Sequence, residues 1–225
     1  MEPVFEIGYL LFALAAGVIF LVAYAGRRDQ RFLLLGAMTL LLGIGDAFHL
    51  IPRMIGLLGD GLENHTFSLG LGKLITSVTM TVFYLIFYRF FLLYFEKKNT
   101  RILTIAFLCL ALIRFVLIAL PQNGWFRKDP SYLFAILRNL PFCLMGGLFI
   151  AISFLWARRD RYFRFTYLLV FFSFVFYMIT VTLASEHTWA GMMMLPKTVC
   201  YVLILVCGLR FLASSRKEEF SPIEA

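Results

Sequence analysis

The chain has 225 residues, 61% of them hydrophobic and only 15% charged, with a formal net charge of +8. A soluble domain averages about 45–50% apolar and about 25% charged residues. This composition, with a mean hydropathy of +0.86, therefore excludes a water-soluble globule and places the chain in a bilayer.

Crossing the hydrocarbon core takes about 20 mostly apolar residues in a helix. Seven runs qualify: roughly 8–25, 32–51, 67–94, 102–120, 131–156, 165–184 and 191–213. They are long and continuous, unlike the short alternating segments of a membrane barrel. The expected fold class is an all-α integral membrane protein, a seven-transmembrane helix bundle forming one membrane domain over 1–225.

Ahead of the first run lie Glu2 and Glu6, and basic residues follow it. That order is the reverse of a cleavable signal peptide, so span 1 is expected to persist. The second run ends in "GIGDAFHLIPRM", residues 43–54. At 100° per residue, Asp46, His49 and Arg53 fall within about 60° of one another and share a helix face. Span 3 opens with Lys73, and Thr76, Ser77 and Tyr84 follow on the same stripe. Arg114 lies about two-thirds of the way along span 4. Span 5 carries Arg138 and Asn139 just before Pro141. Span 6 is aromatic ("VFFSFVFY", 170–177), and span 7 brings Lys197 and, one turn on, Tyr201. Cys109, Cys143, Cys200 and Cys207 fall inside spans without metal spacing, and are expected to be small buried residues rather than a disulfide framework.

Lysine and arginine placement sets orientation. Arg27, Arg28 and Arg31, then Lys97, Lys98 and Arg101, then Arg158, Arg159, Arg161 and Arg164, and finally Arg216 and Lys217 fall in alternate connections and the tail. The other side holds Glu2, Glu6, Asp60, Glu63, Asp129 and Glu186. The N-terminus is expected outside and the C-terminus in the cytoplasm, in the plasma (inner) membrane. The positive charge is a topology signal, and no nucleic acid is expected as a partner.

The chain also repeats itself. "AGRRDQRF" (25–32) matches "WARRDRYF" (156–163), "ENHTF" (63–67) matches "SEHTW" (185–189), and "LGK" (71–73) matches "LPK" (195–197). The order is the same in both halves. We expect a 3+1+3 parallel internal repeat: unit one about 1–95, a linker helix about 102–120, unit two about 131–213, and a short tail 214–225. Aligned on the arginine loops, Asp46, His49 and Arg53 correspond to Tyr177, Thr180 and Ala184, so unit one supplies most of the charge. This layout resembles that of the sugar transporters of the SWEET and PQ-loop group. Such a resemblance implies substrate held between the halves near the midplane. It is one of layout, since the lone Pro121-Gln122 lies in a loop, and no functional residue is carried over. Seven spans with the N-terminus outside are similar in number to those of opsins and G-protein-coupled receptors, without their motifs.

Ionisable residues within spans are costly and mark candidate sites. Asp46, His49, Arg53, Lys73, Arg114, Arg138 and Lys197 are all expected in the outer half, with Ser77, Tyr84, Asn139 and Tyr201 beside them. Five basic side chains against one carboxylate leave positive charge over, with Asp46 the expected partner of Arg114. Arginine forks suit carboxylate or phosphate. The leading expectation is an outward-facing basic pocket that binds, and transports, a small anionic metabolite or lipid headgroup. Asp46 and His49 would then be its protonatable pair. No cofactor is expected, and the partners are the bilayer and the anion, a homo-oligomer being permitted.

An alternative is an intramembrane lipid hydrolase holding zinc at His49, His65 and His187 beside Glu63 and Glu186. The alkaline ceramidase and adiponectin-receptor group is similar in span number, but its paired last-span histidines are absent here and Gly45 stands where it has serine. His65 and His187 read equally as helix starts, with Thr66 and Thr188 as caps. A further alternative is a seven-helix sensor. A retinal pigment is not expected, because Lys197 lies near a helix end and span 3 offers no counter-ion.

Overall fold

A computed structural model describes residues 2–59, 61–127, 131–183 and 187–220. Asp60, Asp129, Ala184 and Glu186, named above, lie outside the described residues, as do the side chains of Glu2, Glu63, Thr188 and Lys217. Among the described residues every regular element is helical. Seven helices are long and apolar enough to cross a membrane. They are α1 (Glu2–Arg27), α2 (Gln30–Leu58), α3 (Thr66–Tyr94), α4 (Arg101–Ala119), α5 (Tyr132–Ala157), α6 (Thr166–Leu183) and α7 (Met194–Phe220).

The helices extend past the apolar runs where polar residues find partners. α1 starts at Glu2 rather than near residue 8, and it buries a strict stripe: Glu6, Tyr9, Ala13, Ala16, Phe20 and Ala23. The 3–4 residue spacing keeps these on one side of a 3.6-residue helix. α2 continues through Pro52 to Leu58, which makes Arg53 helical. Proline at 52 removes the N–H that would reach the Phe48 carbonyl. That carbonyl turns to α3, where Gly72 lies so close that a Cβ would collide with Phe48 O and the His49 Cα. Gly43 likewise lets α2 approach Ala13 of α1. Small residues at helix crossings are the general means of close approach in lipid, where no water drives the helices together.

The helices close into a ring in chain order. α1 packs on α2 and α7, α2 on α3, α3 on α4 and α5, α4 on α5, α5 on α6, and α6 on α7. α3 meets three other spanning helices. Its Phe83, Phe87, Phe90 and Phe91 are fully buried, and the last three are in ring contact with Phe149 or Phe163. Centroid separations near 5 Å with tilted or edge contacts are the favoured aromatic geometry. This aromatic mass fills the end of the bundle that carries the arginine loops. Polar side chains gather at the opposite end, near the α2–α3 and α4–α5 connections.

The arginine loops turn on the same device. Asp29 caps α2, its carboxylate accepting the Arg31 N–H at 2.9 Å, and it pairs with the Arg31 guanidinium at 2.7 Å. Asp160 accepts the N–H groups of Tyr162 and Phe163 at 2.8 and 2.7 Å. The phenylalanines that follow, Phe32 and Phe163, both reach Phe211 of α7.

Candidate functional site

The polar residues expected to line one pocket divide into three groups. Between α1 and α2, the Tyr9 hydroxyl donates to Asp46 Oδ2 at 2.7 Å, and Arg53 Nη1 donates to Glu6 Oε1 at 2.9 Å. Between α4, α5 and the connection joining them, Arg138 Nη1 donates to Asn123 Oδ1 at 3.0 Å and its guanidinium lies 4.2 Å from the Trp125 ring centre. Asn123 is itself held by its amide donating to the carbonyls of Leu117, Ile118 and Leu120.

The third group lies between α3, α4, α5, α6 and α7. The Tyr177 hydroxyl donates to Asn139 Oδ1 at 2.7 Å, while Asn139 donates back to the Ala135 carbonyl of its own helix. Tyr84 and Tyr201 share a hydrogen bond at 3.2 Å. Lys197, 8% exposed, points its ammonium at the faces of Tyr177 and Tyr201, 5.2 and 5.9 Å from their centres. Arg114 is 1% exposed and lies flat against Phe142, 3.5 Å from the ring centre.

Two cations here lack counter-ions. Arg114 Nε and Nη1 are buried and find no hydrogen-bond partner among the described residues. Lys197 has no carboxylate at ion-pair distance among them. The charges that act on it are those of Asp46 and Arg114. A desolvated cation–π contact is worth about 2 kcal/mol, whereas an arginine deep in a bilayer costs about 2.5–3.5 kcal/mol on insertion scales. Phe142 thus offsets part of the cost of Arg114, and the unbonded N–H groups add to the deficit.

Several expectations need correction. Asp46 does not pair with Arg114, because α2 and α4 each pack on α3 and Asp46 turns to Tyr9 of α1. The charge inventory omitted Glu6, which is 3% exposed and neutralises Arg53. Lys73 is exposed at the start of α3. Ser77 donates to the Lys73 carbonyl of its own helix at 2.8 Å, and Thr76 crosses to the Gly45 carbonyl of α2 at 3.2 Å. Tyr84, by contrast, is fully buried between Phe142, Phe149 and Phe174. Lys73, Thr76, Ser77 and Tyr84 therefore form no single wall. Among the described residues Arg114 and Lys197 are set against Asp46 alone, and the charge of Arg138 acts on Arg114 as well.

The space beside this group is a crevice of about 10 Å³ between α1, α2 and α7, bordered by Glu6, Tyr9, Leu50, Leu195 and Thr198. That is close to the volume needed for one water molecule.

His49 has its Nδ1 buried and unbonded. Among the described residues no group of three histidine, cysteine, aspartate or glutamate side chains stands close enough to hold a metal ion. The cap positions expected at Thr66 and Thr188 fall one residue earlier, on His65 and His187.

Sequence reasoning missed Glu6, Tyr9, Asn123, Trp125, Phe142 and Tyr177 as partners. Glu6 was legible: extended one turn toward the N-terminus, the spacing of Tyr9, Ala13, Ala16 and Phe20 lands on it. Phe142 and Trp125 carried no such signal, since which ring meets which guanidinium is a matter of helix neighbours. The chain matches no protein-family model, and neither a curated protein nor a solved structure matches it.

Proposed function

We propose that this multi-pass membrane protein binds and transports a small anion, a carboxylate or phosphate, held between Arg114 and Lys197. The single observation that carries this reading is Arg114: a guanidinium enclosed by protein, stacked on Phe142, with two N–H groups unbonded and no carboxylate on it. An arginine fork offers parallel donors that fit a carboxylate or phosphate bidentately. Tyr177, Tyr201 and Asn139 supply further polar groups beside it. The remaining expected site residues serve the frame: Arg53 joins α2 to α1, and Arg138 fastens α5 to the α4–α5 connection.

In this reading the arginine-loop end is cytoplasmic, following the basic-residue rule, and the chain lies in the plasma membrane. The bundle consists of two like units, about 1–95 and 131–213, with α4 between them. The matching Asp29 and Asp160 turns support that view, as do Phe32 and Phe163 converging on Phe211. The hydrogen bonds Tyr9–Asp46 and Tyr177–Asn139 likewise join the first two helices of each unit, at positions the arginine-loop alignment makes equivalent for Asp46 and Tyr177. Relative movement of the units opens the closed centre to the anion, as in transporters built from parallel repeats.

The test is thermal unfolding of purified protein in phosphatidylcholine nanodiscs with formate, sulfate or inorganic phosphate. A ligand at 100 times its Kd stabilises by about 2.7 kcal/mol, so at least one anion is expected to raise the unfolding temperature. Stabilisation by phosphatidylglycerol nanodiscs alone would identify a lipid headgroup as the anion's source. Arg114→Leu should abolish either effect. If no anion or anionic lipid stabilises the wild type, the reading fails; a loss of stability in Arg114→Leu would then mark Arg114 as structural.

A further inference from the structure

Among the described residues, Asp46 is a carboxylate near this centre with no cation at ion-pair distance. Its single hydrogen bond among the described residues comes from Tyr9, whereas Glu6, one turn earlier on α1, is paired with Arg53. The titratable groups presented to Asp46 are few. From α1 there is Tyr9, and from α7 there are Lys197 and Tyr201. On its own helix, His49 stands among Lys73 of α3, Arg53 and Lys197. Lys197 is therefore the cation whose charge acts on Asp46, and the charge of Arg114 acts on the same ammonium.

An anion seated between Arg114 and Lys197 competes with Asp46 for that ammonium. Two negative groups sharing one site of low dielectric cannot both stay ionised cheaply, and one of them takes a proton. A small carboxylate or sulfate gripped by arginine keeps its charge, which leaves Asp46 to accept the proton. The crevice beside Tyr9 and Glu6 borders the hydroxyl that holds Asp46 and has room for about one water.

We propose that Asp46 is the proton-carrying group of the anion site: it is protonated as the anion binds and deprotonated as the anion leaves, so that proton and anion are bound together. This rests on the anion-binding reading above. The step is an acid–base exchange alone, with one proton drawn from water onto the Asp46 carboxylate for each anion bound. By linkage the converse also holds, and lowering the pH tightens the anion.

The experiment is isothermal titration calorimetry of the full chain in phosphatidylcholine nanodiscs, with formate and with sulfate. Neither anion titrates near neutral pH. Each titration is run in two buffers of different ionisation heat and at several pH values. Expected for the wild type is uptake approaching one proton per anion where Asp46 is ionised, with Kd rising up to tenfold per pH unit there. Asp46→Asn should bind with buffer-independent heat and a Kd that no longer changes with pH. His49→Gln should keep the uptake. Tyr9→Phe, which removes only the hydrogen bond, should move the pH at which uptake sets in; it also serves if Asp46→Asn does not fold. Binding without proton uptake in the wild type would overturn the proposal and leave anion binding standing, as would uptake that persists in Asp46→Asn. Absence of binding by the wild type at every pH would remove both.

Discussion

Arg114 and Arg53 show how one residue type takes two roles within one bundle. Arg53 has a carboxylate at 2.9 Å and keeps 17% of its side chain exposed, while Glu6 keeps 4%. Removing one member of a buried pair typically costs about 3–5 kcal/mol, because the other charge is left stranded; partial exposure of Arg53 lowers that, to about 1–3 kcal/mol. Glu6→Gln and Arg53→Gln should each destabilise the protein by that amount in reversible unfolding. The double variant should lose less than the sum of the two. Additive losses would show that the two side chains do not act as a pair. Arg114 behaves in the opposite sense, with Phe142 under it and no acid to strand, so Arg114→Leu is expected to leave stability unchanged or higher in the absence of anion.

Asp29 can be tested at the same scale. Partial burial alone would raise its carboxyl, but the hydrogen bonds from the Arg31 side chain and N–H, with the charges of Arg31 and Arg27, outweigh burial and hold it below its usual value. A group whose pKa falls on folding stabilises above its unfolded value, about 3.9 for aspartate, and loses that contribution as pH drops through the folded one. Asp29→Ala should cost about 1 kcal/mol at pH 7, the usual worth of a helix cap. The gap from wild type should close in unfolding measured below about pH 4. The Asp29 cap was readable from "RRDQRF", since aspartate before a helical run is a start signal. The Arg53–Glu6 pair was not, because it joins residues 47 apart.

Among the elements, α2 and α3 show what a helix crossing demands. Pro52 frees the Phe48 carbonyl, and Gly72 receives it. A methyl group at 72 would strike backbone, which cannot swing aside as a side-chain tip can. Gly72→Ala should destabilise by about 1–3 kcal/mol, the common range for overpacking, and weaken anion binding by displacing His49 and Asp46. Stability lost without change in affinity would separate this crossing from the site. The runs of apolar residues identified every spanning helix, because length and hydropathy are local properties. Their ends were less legible. α1 starts before its apolar run and α2 ends after its own, each carrying a charged residue, Glu6 and Arg53, that is tolerable only opposite the other.

For the whole molecule, ring closure decides which helices meet. α3 is packed by α2, α4 and α5, and α7 returns to α1; this brings Lys197 near Asp46 and Arg114. With seven spans and basic loops at one end, a reporter joined after residue 98 should be cytoplasmic, and one joined in the 120–131 connection external. Alkaline phosphatase, active only outside, reads this directly. Activity at the first position and silence at the second would reverse the orientation.

The sequence alone determined that the chain is a membrane bundle of seven helices and which ionisable residues fall inside them. These follow from composition, run length and helical spacing, which depend on neighbours within a few turns. Only the tertiary structure decided which charges were already satisfied. Glu6 takes Arg53, Asn123 and Trp125 take Arg138, Lys73 stays exposed, and Arg114 and Lys197 are left without a carboxylate at ion-pair distance among the described residues. That partition depends on helix neighbours and on Ångström-scale distances between residues remote in the chain, and a desolvated charge is worth several kcal/mol one way or the other according to them.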